Sequence, residues 1–297
     1  MAGDTHPIAV CDYEGSHYRT DFWTGREFED QAERIALRHL LPPGGHRLVE
    51  IGAGFGRLAD LYAPFDQVIL LDYSRSLLRE AQERLGDDPR ITYVAANVYE
   101  MPLSSEAVDT AVMVRVAHHL ADLPRALREI RRVLSGGGVL VMEYANKRHL
   151  KAIFRYVMGR QPWSPFDHEP YEFATLNFDF HPAWMEARLR EVGFHIERQR
   201  AVSHFRVGWL KRRIPGSTLA RVDGWLQRPG ARLKLAPSIF VRARCPGPLP
   251  SAWPQAFFRC PHCGAEPLPP DEAGVTCPSC DRIWPLRDGI YDFKTPA

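Results

Sequence analysis

The sequence has no apolar run near the roughly 20 residues that a membrane-spanning helix needs; Val139-Leu-Val-Met142 is only strand-sized. Its opening, Met1-Ala-Gly-Asp-Thr-His-Pro7, has no basic stretch followed by an apolar one. No export signal is therefore read, and a cytoplasmic location is expected. Cysteine is scarce: six residues, four of them crowded into the last forty positions. Without an export signal, such crowding reads as metal ligation before disulfides. Cys11 and Cys245 stand alone and are expected to be reduced thiols. Internal repeats are absent. Overall charge of one sign is nearly absent too, at +2, which by itself excludes a strongly basic or acidic chain.

That balance conceals an asymmetry. From Asn146 to Arg244 there are 19 Lys/Arg against 8 Asp/Glu, a local charge of +11. Such a segment suits a nucleic acid or another anionic partner, or simply solvated arginine-rich helices. With 45% hydrophobic and 25% charged residues, 297 positions suffice for one large α/β core and a small appendage.

The apolar pattern supplies the organisation. Phe28, Ala32, Ile35, Ala36 and Leu40 recur at helical spacing, and Pro42-Pro43-Gly44-Gly45 stops that helix. Strand and helix text then alternates. Strands are expected at 48–51, 68–72, 91–94, 108–114 and 139–144, with helices near 58–61, 76–85 and 123–134. The alternation implies a doubly wound parallel sheet. It lapses over 146–180, where Pro162, Pro165 and Pro170 interrupt Trp163, Phe166, Tyr171, Phe173, Phe178 and Phe180. This stretch is expected to be an inserted cap over the sheet's C-terminal edge. A helix at 182–192, a strand at 194–199, an inserted helical pair and a strand at 238–242 complete a domain over 1–245. Residues 246–257 read as a linker and 258–297 as a separate module.

After the first strand comes Glu50-Ile-Gly-Ala-Gly-Phe-Gly56. Glycines there let a ligand approach the backbone, and the next element points N–H groups at it. A dinucleotide fingerprint wants Gly-x-Gly-x-x-Gly. Here Gly52, Gly54 and Gly56 alternate and Arg57 takes the sixth place, which disfavours a pyrophosphate loop. Asp72, ending the second strand, is placed to accept two ribose hydroxyls.

These residues resemble the class I S-adenosylmethionine-dependent methyltransferase family. The likeness is to its type 11 branch, which includes quinone-biosynthesis and tRNA-wobble methyltransferases. Val49–Gly56 is similar to the family's first motif and Leu71-Asp-Tyr-Ser74 to its ribose-binding motif. Ala96-Asn-Val-Tyr-Glu-Met-Pro102 is similar to its adenine-binding segment, with Asn97 where Asp is common. Val116-Ala-His-His-Leu120 and Arg132-Val-Leu-Ser-Gly-Gly-Gly138 match its later signatures. The resemblance spans about a third of the chain. It implies S-adenosylmethionine as cofactor and a seven-stranded Rossmann-like sheet whose last strand is antiparallel. It also implies a cofactor site of Glu50, Gly52, Ala53, Gly54, Gly56, Asp72, Tyr73, Asn97, Val98 and Arg115.

Methyl transfer from a sulfonium needs alignment and exclusion of water, and a base only where the nucleophile must lose a proton. Candidates near the mouth are His118, His119, Tyr18, Tyr144 and His181. Tyr18, Arg19, Phe22 and Trp23 are placed for a lid, and Lys211-Arg212-Arg213 for a substrate anion. Cys260-Pro-His-Cys263 and Cys277-Pro-Ser-Cys280, thirteen residues apart, fit a closed tetrahedral Zn²⁺ site of structural type. The text that follows, Ile283–Ile290, resembles the zinc-ribbon activator subunit of several RNA and release-factor methyltransferases; a generic docking ribbon is the alternative. The acceptor stays open. RNA or a translation protein is slightly favoured through segment 146–244, against a small or lipid-like metabolite such as a quinone precursor. A non-catalytic binding module is the third reading. Oligomeric state is not legible.

Overall fold

The structure, a computed structural model, describes residues 8–16 and 18–297. The segment 1–7, read above for an export signal, lies outside the described residues. The chain begins with α1 (Tyr18–Trp23) and α2 (Glu27–Leu40). Buried Phe28, Ala32, Ala36 and Leu40 form one stripe along α2, and extended Leu41 ahead of Pro42 ends the helix. Next come β1 (Gly45–Ile51), β2 (Phe65–Asp72), α3 (Arg75–Leu85), β3 (Ile91–Ala95) and β4 (Val108–Met113). The Ser74 hydroxyl accepts the Leu77 N–H at 3.2 Å to start α3. Every residue of β4 is buried, as a central strand covered on both faces requires.

Asp122 caps α4 (Leu123–Val133) by accepting the Arg125 N–H at 3.0 Å. The helix passes directly into β5 (Leu134–Ala145), which starts earlier than its sequence pattern implied. Gly136 and Gly137 lie within this strand instead of in a turn. A Cβ on Gly136 would sit 2.7 Å from the Pro248 carbonyl, so the glycines admit the later chain at close range. After β5 come α5 (Leu150–Val157) and a hairpin of β6 (Tyr171–Ala174) and β7 (Asn177–Asp179). Then follow α6 (Pro182–Glu191), β8 (His195–Val202), α7 (Gly208–Arg213), α8 (Gly216–Leu233) and β9 (Ser238–Arg244). The chain ends with β10 (Gly274–Thr276), β11 (Ile283–Arg287) and β12 (Ile290–Asp292).

The main sheet runs β10-β11-β12-β3-β2-β1-β4-β5-β9-β8. Strands β1 to β5 are mutually parallel, and β9 is antiparallel to both β5 and β8. The chain winds outward to β3, then returns to β4 beside β1, which opens a crevice at the strands' C-terminal ends. The fold is thus α/β and Rossmann-like with a mixed sheet, and the antiparallel strand is where the resemblance put it.

The seven expected strands are β1–β5, β8 and β9, and among the described residues three more, β10–β12, extend the sheet beyond β3. Strand β12 adds to β3 in parallel, pairing Ile290 with Tyr93 and Asp292 with Ala95. A free β3 edge would expose unpaired N–H and C=O groups, and the C-terminal segment takes them up. Phe258, Cys260, Cys277, Trp284 and Phe293 share one buried cluster with Val94, Val98 and Met101 of the sheet's face. The stretch read as linker 246–257 is exposed over 246–252 and anchored near its end. Trp253 stacks on His46 at 5.3 Å, and the Pro254 carbonyl accepts from Arg47 at 3.1 Å.

Candidate functional site

At the switch between β1 and β4 the backbone turns on three glycines at positive φ: Gly52 (70°), Gly54 (53°) and Gly56 (68°). Gly52 donates to the Leu71 carbonyl at 2.8 Å, and Gly54 to Oδ2 of Asp72 at 2.7 Å. A Cβ on Gly52 would lie 2.2 Å from Cγ2 of Val116, so no other residue fits there. Gly56 serves a different need: its Cβ would lie 2.9 Å from Leu85 at the end of α3, and its absence lets the helix pack.

A pocket partly open to solvent lies beside this loop. Gly52, Gly54, Asp72, Tyr73, Val98 and Arg115 line it, among the ten residues expected at the cofactor. Glu50, Ala53, Gly56 and Asn97 stand outside its wall. Asn97 is spent locally, its Oδ1 accepting the Tyr99 N–H at 3.0 Å to cap a short turn. Glu50 is buried behind the loop with Oε2 unpartnered, and burial raises its pKa to about 8 against the pull of Arg57.

The Asp72 carboxylate accepts one backbone N–H on each oxygen, from Gly54 and from Ser74 at 2.8 Å. Two acceptor positions are left for hydroxyls. Burial raises its pKa, opposed by those N–H donors and by Lys294. Arg115 sits at a φ of 61°, and its N–H donates to Oε2 of Glu143 at 3.0 Å. Its guanidinium pairs with buried Glu33, which also holds Arg57 at 2.8 Å. Trp23 lies 3.9 Å from the Arg57 guanidinium and 5.0 Å from that of Arg115. Trp23 thus rests on a charged cluster that secures the β4 turn.

Of the base candidates, Tyr18 and His119 line the cavity. His119 sits in a 3₁₀ turn, Ala117–His119, rather than at a helix start. Its Nδ1 contacts the Leu176 carbonyl at 3.1 Å and its Nε2 the Tyr13 hydroxyl at 3.1 Å. A carbonyl only accepts, so Nδ1 carries the proton and Nε2 accepts from Tyr13. Three other candidates lie off the wall. His118 packs 4.1 Å from the His119 ring with Nδ1 unpartnered, and burial with His119 and Arg115 lowers its pKa to about 3. Tyr144 is fully buried under the sheet. His181 caps α6 and stacks on His168 at 4.3 Å. Lys211 is committed to Glu29 at 2.8 Å.

Several wall residues carried no motif. Val10, Cys11 and Tyr13 come from the N-terminal arm. Lys294, far along the chain, places its ammonium 4.5 Å from the Tyr73 ring and 3.6 Å from Glu14. A short apolar arm and a lone lysine have no spacing for a reader to recognise.

The four C-terminal cysteines come together with all sulfurs within 4.8 Å of one another. Cys260 and Cys280 are 3.7 Å apart, Cys263 and Cys277 3.4 Å. Ligands at ~2.3 Å around a tetrahedral Zn²⁺ would stand roughly 3.8 Å apart, so the donor set fits that ion.

Residues 49–142 match the Methyltransferase domain family. A probable S-adenosylmethionine-dependent methyltransferase of Mycobacterium tuberculosis is 38% identical over 116 residues, 38% of this chain and 41% of that protein. The ubiquinone/menaquinone biosynthesis C-methyltransferase UbiE of Vibrio campbellii is 28% identical over 50% of this chain and 64% of its own. The chain therefore spans about two fifths of the first relative and under two thirds of the second. A solved S-adenosylmethionine-dependent methyltransferase from Mesorhizobium loti is 25% identical, with a TM-score of 0.54 over 72% of this chain and 97% of that one. The complex of the Haloferax volcanii Trm112 methyltransferase activator with a putative methyltransferase includes a chain of the same fold. That likeness has 17% identity and a TM-score of 0.53 over 77% of this chain and 95% of the other. Residues 49–142 thus match a methyltransferase domain family, on an α/β Rossmann-like fold shared with solved S-adenosylmethionine-dependent methyltransferases.

Proposed function

We propose that the chain is an S-adenosylmethionine-dependent methyltransferase whose acceptor is a small, largely apolar molecule of the quinone-precursor kind. The observation that carries the first part is the Gly52–Gly54 turn clamped to Asp72 at the mouth of an apolar cavity. Asp72 would take the ribose hydroxyls, and Val98 and Leu120 the base. Gly52 and Gly54 would lie against the methionine part. When bound, the cofactor supplies an electrophilic methyl group. The chain's own task is to orient the acceptor and keep water out, through Tyr13, Tyr18, Val116 and the β6–β7 hairpin above His119. A proton leaving the acceptor would pass to the Tyr13 hydroxyl as Tyr13 gives its own to Nε2 of His119. Burial keeps the Tyr13 phenol neutral and so keeps it a donor.

Two features support an apolar acceptor over RNA. Lys147, Arg188, Arg190, Lys211, Lys234, Arg242 and Arg244 of the basic segment are each paired with a carboxylate, which leaves fewer cations for phosphates. Similar sequences include UbiE and a demethylmenaquinone methyltransferase of Clavibacter sepedonicus, 30% identical over 47% of that protein.

We further propose that residues 258–297 form a Zn²⁺-held ribbon, a built-in counterpart of the activator subunit that scaffolds β3. Calorimetry with S-adenosylmethionine tests the cofactor. Transfer of a tritiated methyl group to fractionated extract tests the acceptor. Label in the lipid-soluble fraction is expected. Label in RNA would replace the acceptor reading, and binding without any label would favour a non-catalytic module.

A further inference from the structure

The inserted segment, which contacts the cavity-wall residue His119 through the Leu176 carbonyl, also carries an outward apolar face. Along α5, Leu150, Phe154, Val157 and Met158 fall at i, i+4, i+7 and i+8 and are 62%, 59%, 73% and 52% exposed. Only the opposite side is fixed to the protein, through Ala152 at 1%. The stripe does not end with the helix. Phe166, 51% exposed, meets Tyr156 with ring centroids 6.3 Å apart. At the other end, the Leu150 N–H donates to the Leu235 carbonyl at 2.8 Å, which brings the exposed Leu233 alongside. Soluble surfaces rarely keep so many large apolar groups contiguous without a use.

The border of this face is cationic. Lys151 and Arg155 are exposed on α5 itself and have no carboxylate partner among the described residues; Arg160 follows the helix. The nearby acid Asp167 is engaged by Lys147 at 3.6 Å, while Glu169 offers its carbonyl to the same lysine. The segment around the stripe carries the chain's excess of positive charge.

We propose that this face docks on an anionic lipid surface, with the stripe entering the acyl boundary and Lys151 and Arg155 meeting headgroup phosphates. A membrane receives Leu, Phe, Val and Met without demanding shape complementarity, and its negative surface complements the border. A second copy of the chain would bring two cationic borders together. The hairpin that continues this segment supplies the Leu176 carbonyl that holds His119 at the cavity wall. Docking would therefore place the cavity mouth next to the phase from which a lipid-like acceptor enters. This rests on the apolar-acceptor reading above for its purpose, but not for its physical basis.

Sedimentation of the full chain with vesicles tests it, comparing phosphatidylglycerol–phosphatidylcholine mixtures with phosphatidylcholine alone. Binding to the anionic vesicles is expected, lowered at least about tenfold by Phe154→Glu with Val157→Glu, and lowered likewise by Lys151→Glu with Arg155→Glu. Cofactor affinity of both variants, read by calorimetry, should match the unmodified protein and so certifies their folding. A chain that stays in the supernatant with both vesicle types overturns the proposal. So does a doubled solution mass that Phe154→Glu abolishes, since a second copy would then cover the face. Neither result touches the cofactor or acceptor reading, which methyl transfer to a lipid-soluble fraction decides separately.

Discussion

The Lys294 ammonium stands 4.5 Å from the centre of the Tyr73 ring, joining the last residues of the chain to the rim of the cofactor cavity. The link is reinforced on both sides. Phe293 N–H donates to the Ala95 carbonyl at 2.9 Å, and Asp292 lies 3.6 Å from the Arg75 guanidinium. The C-terminal segment is thus tied to Tyr73, Ala95 and Arg75, around the end of β2 that carries Asp72.

Lys294→Met should therefore weaken S-adenosylmethionine binding without unfolding the protein. A cation over an exposed-to-half-buried ring is worth ~0.5–1 kcal/mol, a two- to fivefold loss of affinity. Calorimetric titration of the variant checks this, and unchanged affinity would reduce Lys294 to a surface contact.

Asp72→Asn should cost more. It exchanges a charged acceptor of the Gly54 and Ser74 N–H groups for a neutral amide. Hydrogen bonds to charged groups contribute about 1.5–3 kcal/mol, so affinity should fall about tenfold to a hundredfold. Gly52→Ala should abolish binding altogether, because its Cβ meets Val116 at 2.2 Å. Both are read in the same titration.

Removing the metal should couple the two ends of the chain. Cys277→Ser, or a strong chelator, is expected to lower the melting temperature and release zinc measurable by mass spectrometry. Because β12 pairs with β3, cofactor affinity should fall together with stability. A variant that loses zinc yet binds cofactor normally would separate the module from the site.

The pH profile should carry a mark of His118. Its pKa is lowered to about 3 by burial, then by His119 and Arg115. In the unfolded chain it titrates near ~6.5, so below that pH the unfolded state binds the extra proton. The stabilising contribution is present above about 6.5 and is lost progressively as pH falls toward 3. His118→Phe should flatten the decline in melting temperature between pH 7 and pH 4. No inflection in the rate between pH 5 and 8 should trace to this residue.

Much of the core was readable because its causes are local. Alternating strand and helix periods, the Ser74 cap and the Gly52–Gly56 turn each follow from neighbours within a few residues. The four cysteines were legible for the same reason, since two short knuckles declare a ligand set by spacing. The exceptions follow one physical rule. Asn97 caps its own backbone, its oxygen accepting the N–H of Tyr99 two residues on. His118 and His119 are neighbours in sequence, yet one is packed and the other is wired to Tyr13 and Leu176. Nothing in their spacing distinguishes them.

The sheet's winding, the glycine turn and the acid at the end of β2 are written locally in the residues, because backbone geometry and apolar period act over short range. Long-range packing alone makes the C-terminal segment close the β3 edge, brings Lys294 to Tyr73, and sets Tyr13 against His119. Those contacts span about a hundred to more than two hundred residues of chain. They form because an open strand edge and a buried imidazole must each find a partner, wherever in the chain that partner lies.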